Sequence, residues 1–124
     1  MSRIAVKRIH EVPSPGDGTR FLVDRLRPRG VSKEKASIAA WLKPLSPSDH
    51  LRKTYHGETA GSDEAWDAFR FDYAAELDAS SEEAKAALFT LDAALASGPV
   101  TLLYAAKNDE RNNAIALREW LEAR

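Results

Sequence analysis

The sequence predicts an α/β domain: a small, mostly parallel sheet of about three strands covered by helices. Two observations carry this expectation. One is the uniformly apolar run "VTLLYAA" at 100–106, bounded by Gly98-Pro99 and by "KND". A strand that is apolar on both faces is covered on both faces, which is the habit of parallel sheets. The other is the alternation of short strand-like segments with longer stretches of helical periodicity. The 124 residues suit one domain, residues 1–124, and no linker or repeat interrupts them.

Taken in order, "RIAVKRI" (3–9) alternates apolar and basic side chains, as a strand with one wetter face does. "EVPSPGDG" follows as a loop, its prolines and glycines breaking regular structure. "RFLVD" (20–24) is short and apolar and reads as a more buried strand, ended by Pro28 and Gly30. Ser32 is placed to cap a helix running to about Leu42 with Ile38, Trp41 and Leu42 on its apolar face. A second helix fits "PLSPSDHLRKTYHG", with Ser46 as N-cap, Pro47 at the first position and Gly57 closing it.

Residues 63–78 place Trp66, Phe69, Tyr73 and Leu77 on one stripe, the pattern of a core face rather than a cofactor box. The next helix opens on the capping box Ser80…Glu83, presents Ala84, Leu88, Leu91 and Leu95, and stops at Gly98-Pro99. After the apolar strand, a last helix is expected from near Asp109, burying Leu117, Trp120 and Leu121.

Composition excludes several chemistries. The chain has no cysteine, so disulfides, thiolate nucleophiles and Cys-ligated metals are out. No histidine–carboxylate spacing supports a metal site, and no metal or cofactor is expected. "SPGDGTR" matches neither a P-loop nor GxGxxG. With a net charge of −1, overall attraction to nucleic acid or an anionic membrane is not favoured. The N-terminus has no apolar signal region and no run approaches the length of a membrane helix, so a cytoplasmic location is expected.

The functional lead lies where the strands end, because ligands of open α/β sheets bind at the carboxyl ends of strands. The second strand runs into Asp24, Arg25, Arg27, Pro28 and Arg29; the last runs into Lys107, Asn108 and Asp109. "LRKTYHG" adds Arg52, Lys53 and His56. Arginine offers a planar fork of donors that matches carboxylate or phosphate. The expected site therefore takes a small anionic ligand, phosphate- or nucleotide-like. Arg25 and Arg29 clamp it, Lys107 neutralises it, Asp24 orients an arginine, and Asn108 and Asn112 make amide contacts. His56 is the candidate proton carrier if a reaction occurs. The structural alternative makes Asp24 and the arginines an internal ion-pair network, His56 a helix C-cap, and Lys107 and Asn108 strand-end caps. A nucleic-acid-binding module using the arginines and Lys53 ranks second, with a non-catalytic interaction protein behind it.

The strings "RFLVDRLRPRGVSKEKA", "LRKTYHG", "FRFDYAAEL" and "VTLLYAAKNDERNNAIAL" occur in an order that resembles the YeaO-like branch of a widespread bacterial family, domain of unknown function 488. The resemblance spans nearly the whole chain. It implies a compact cytoplasmic α/β domain and brings no established activity. Its motif positions fall on Asp24, Arg25, Pro28, Arg29, Gly30, Arg52, Lys53, His56, Lys107, Asn108 and Asn112. Arg27 departs from it, standing where the family usually has tryptophan.

Overall fold

The strand Val100–Tyr104 is buried along its whole length, because it is paired on both edges and covered on both faces. It is the last of four parallel strands in a computed structural model that describes residues 3–26, 30, 32, 34, 36–55 and 62–124. In chain order the elements are β1 (Ile4–Arg8), β2 (Thr19–Leu22), β3 (Ala40–Trp41), α1 (Asp49–Thr54), α2 (Asp63–Ala79), α3 (Glu82–Ser97), β4 (Val100–Tyr104) and α4 (Asn113–Glu122). Single 3₁₀ turns lie at Pro15–Asp17 and Lys43–Leu45. The sheet order is β1-β4-β2-β3. Ile4 pairs with Val100 and Arg8 with Tyr104 on one side of β4; Thr19 and Leu22 pair with Val100 and Leu103 on the other.

This register sorts side chains between two cores. Val100, Leu102 and Tyr104 join Ile4, Phe21 and Val23 on one face. Every buried residue of the four helices packs there, including Leu51, Phe69, Tyr73, Leu77, Leu91, Leu117 and Leu121. Phe69 sits between Trp66 and Tyr73 at centroid separations of 5.9 and 5.6 Å. Shortening a buried leucine such as Leu102 to alanine would cost about 2–5 kcal/mol. The opposite face is smaller: Leu22 and Leu103 meet Ile9, Ala36 and Ile38. Among the described residues it is roofed by connecting segments, not by a helix, and a polar network completes it. Asp17 accepts hydrogen bonds from Lys7 Nζ (2.9 Å), Arg20 Nη1 (2.6 Å), and the Ser14 amide and hydroxyl, while Arg20 Nε donates to the Ala36 carbonyl (2.8 Å).

The sheet has four strands rather than the expected three or so, and the difference lies in the segment 32–42. Instead of ending a helix, Ala40–Trp41 lies parallel to β2, with the Ala39 amide on Arg20 O and the Leu42 amide on Leu22 O. Ile38 and Leu42 fit a helical spacing, but they enter opposite cores, which one helical stripe does not allow. Trp41 is partly exposed, with its indole N–H on the Asp24 carbonyl (2.6 Å).

Three helix starts also move. α1 is capped by Ser48, whose hydroxyl accepts from the Leu51 amide, not by Ser46. α3 is capped by Ser81, not Ser80, which takes a positive φ of 32° at the junction with α2. α4 begins at Asn113, not near Asp109, because Asn108 Oδ1 accepts from the amides of Glu110 and Arg111 and turns the chain before the helix can start. Trp120 is partly buried against the core, with its indole N–H on Asp78. Among the described residues, no helix is long and apolar enough to cross a membrane.

Candidate functional site

Because β2 and β4 are parallel neighbours, the two polar segments that follow them meet at one edge of the sheet. Asp24 is the point of contact. Its carboxylate accepts from the Ala105 amide (2.9 Å) and from Asn113 Nδ2 (3.0 Å), and the same amide group of Asn113 donates to Val23 O (3.1 Å). One side chain thus ties the end of β2 to the end of β4 and the start of α4. Burial pushes the Asp24 carboxyl above its usual range, outweighing the opposing pull of the Asn113 and Ala105 hydrogen bonds and of the Arg52 charge.

Arg25 does not pair with Asp24. Its Nε donates to Asp49 Oδ1 (3.1 Å), and Arg52 Nη1 donates to that same oxygen (3.1 Å). Asp49 is the first residue of α1 and Arg52 lies one turn on, so the helix brings the second guanidinium to the carboxylate by its own geometry. The Arg25 and Arg52 side chains are 31% and 40% exposed and Asp49 is 59% exposed, so the cluster is open to solvent. Two cations share one anion, and the remaining N–H groups have no further partner among the described residues.

The other expected residues divide. Lys107 is exposed and has no partner among the described residues. Asn108 spends its side-chain oxygen on the turn that precedes α4. Asn112 is buried as the N-cap of α4, its oxygen on the Ile115 amide (2.9 Å) and its nitrogen on Asn108 O (3.0 Å), which leaves little of its amide for a ligand. Arg27, Pro28, Arg29, His56 and Gly57 lie outside the described residues. Asp49 and Asn113 are additions. The only signals for them were a carboxylate in a first helical turn and one more asparagine in "NDERNNA". Among the described residues, no group of three His, Cys, Asp or Glu side chains is placed to hold a metal ion.

Arg25 also borders an open cleft of about 460 Å³, between the Lys43–Leu45 turn and the α2–α3 junction. Ser46, Ser48, Glu76, Ser80 and Ser81 supply its polar wall. Glu76 accepts from the Ser48 amide (3.0 Å) and hydroxyl (2.5 Å), which fixes α1 against α2.

Residues 3–124 match the family described as the inactive DUF488-N3 subclade. The chain belongs to this family. It is 39% identical over 120 residues to the uncharacterized protein YeaO of Escherichia coli K12, covering 97% of each chain. It is 34% identical over 123 residues to the uncharacterized protein Rv3073c of Mycobacterium tuberculosis H37Rv, covering 99% of this chain and 97% of that one. No solved structure matches it. The relatives' names assign no activity, so for this DUF488-N3 domain the reading of function rests on the strand-end chemistry.

Proposed function

We propose that this protein is a non-catalytic binding domain that takes a small anionic, phosphate-like ligand at the sheet's carboxyl edge, between Arg25 and Arg52. The observation that carries the reading is the sharing of one Asp49 oxygen by both guanidiniums. With one Asp49 oxygen shared between them, the two guanidiniums keep several donors suited to two-point contact with an oxyanion. Lys107, unpaired among the described residues and following β4, adds a long-range positive charge. The family's description as inactive favours binding over turnover. The neighbouring Asp24, Asn108 and Asn112 act as the frame of the site, since each is already spent on backbone groups.

A thermal-shift titration with inorganic phosphate and AMP at moderate salt tests the reading. A ligand that binds only the folded state raises the melting temperature, by the equivalent of about 2.7 kcal/mol at a hundredfold excess over Kd. The wild type is expected to shift and the double variant Arg25→Gln/Arg52→Gln is not. The pair is exposed, so the double variant keeps its fold. A second reading, nucleic-acid binding, draws on exposed Lys53 beside Arg52. It predicts instead an affinity for oligonucleotides that falls steeply with salt.

A further inference from the structure

The cleft beside Arg25 has a wall whose hydrogen-bonding capacity is lopsided. Ser46 Oγ spends its proton on Lys43 O (2.6 Å), and Ser80 Oγ spends its own on Leu77 O (2.5 Å). Both hydroxyls are left as acceptors. Ser48 Oγ donates to Glu76 and accepts from the Leu51 amide, which spends its proton and leaves one lone pair. The Glu76 carboxylate accepts those Ser48 bonds and keeps spare lone pairs on both oxygens. Ser81 is the exception: its oxygen takes the Ala84 amide, and its proton is unspent. The polar part of the wall therefore presents acceptors on Ser46, Ser48, Glu76 and Ser80 and one donor on Ser81, with Arg25 also lining the cleft. Pro44, Leu77, Ala79 and Ala84 add apolar surface beside it. At about 460 Å³ the cleft falls in the size range of small-molecule sites.

We infer that the ligand is a phosphorylated polyol or sugar, its phosphate on Arg25 and Arg52 and its hydroxyl-bearing body in this cleft. The inference rests on the anion-binding reading above and adds the class of the molecule. A hydroxyl group both donates and accepts, so a run of hydroxyls satisfies spread acceptors and the lone Ser81 donor together. An ammonium group only donates and serves one place. An alkyl chain would leave the acceptors unpaired, which is the costliest mismatch such a wall can meet.

The experiment is calorimetric titration of the full chain with inorganic phosphate, ribose 5-phosphate, n-pentyl phosphate and O-phosphoethanolamine. Ribose 5-phosphate is expected to bind about tenfold or more tighter than the other three, the worth of one or two net hydrogen bonds. Ala79→Trp should abolish that preference while leaving inorganic phosphate affinity unchanged, and Glu76→Gln should weaken the preference as well. Ala79 is exposed at the cleft's edge, so the tryptophan fills the cleft without disturbing the core, should Glu76→Gln weaken the seat of α1. Equal affinity for all four phosphates, or tighter binding of the pentyl or ammonium compound, overturns the sugar assignment and leaves the anion site standing. No binding of any of the four, inorganic phosphate included, overturns the anion site itself and the sugar assignment with it.

Discussion

Two clusters in this molecule have the same formula, one aspartate with two cations, and opposite character. At Asp17 the partners are Lys7 and Arg20; at Asp49 they are Arg25 and Arg52. Asp17 and Arg20 are 6% and 3% exposed and lie under the second face of the sheet. The Asp17 carboxylate takes hydrogen bonds from three side chains and one amide, and Arg20 reaches the Ala36 carbonyl that roofs that face. Asp49 offers a single oxygen to two exposed guanidiniums. Residue type and stoichiometry do not separate a structural network from a binding site; burial and the number of donors left over do.

Breaking the first cluster has the largest expected effect. Asp17→Ala strands a buried guanidinium and should lower stability by roughly 3–5 kcal/mol, read from chemical denaturation midpoints. Gly18→Ala next to it is comparably severe. Its φ is +65°, and a Cβ there would lie 2.0 Å from the Pro99 carbonyl oxygen, a distance backbone must move to relieve.

Asp17 and Asp24 also titrate in opposite senses. Burial alone would push the Asp17 carboxyl up, but Lys7, Ser14 and Arg20 more than reverse that and hold it well below the ordinary carboxylate range. A depressed folded pKa contributes stability above the unfolded value of about 3.8, and that contribution is lost as pH falls below it. Asp24 is raised, so the folded state binds its proton more tightly. Its contribution is present below the unfolded value and is lost as pH rises through the folded one. Stability measured from pH 6 to pH 2 should therefore fall in acid for the wild type, and less steeply for a folded Asp17→Asn variant. In an Asp24→Asn variant, which loses the opposing contribution, the acid fall should be steeper than in wild type.

Smaller effects sharpen the comparison. Asn112→Ala removes the cap of α4 and should cost about 1 kcal/mol, measured by thermal denaturation. Arg25→Gln and Arg52→Gln each touch an exposed pair and should cost less than about 1 kcal/mol in the same assay. On the proposed reading, their main effect is on phosphate affinity.

The legible parts of the fold were those where one periodicity had one explanation. "VTLLYAA" was apolar throughout and proved to be the central strand; Trp66, Phe69, Tyr73 and Leu77 formed one stripe and one core face. The segment 32–42 misled because Ile38, Trp41 and Leu42 satisfy helical spacing, while the pairing of Ala40–Trp41 with β2 depends on residues nineteen positions earlier. At the site, parallel strand ends did bring Asp24 and the 105–113 segment together. The partner of Arg25 was not legible. Asp49 reads as a first-turn helix residue, and only the fold carries it to an arginine twenty-four positions earlier. Nor could sequence show that Arg20, in an unremarkable strand, is the most buried cation of the two clusters.

The most direct test is isothermal titration of inorganic phosphate into the wild type, Arg25→Gln and Lys7→Gln, one cation removed from each cluster. Binding that survives Lys7→Gln and is lost in a folded Arg25→Gln is the predicted result. Binding unaffected by Arg25→Gln, or lost equally in both, would contradict the assignment of the open cluster as the anion site.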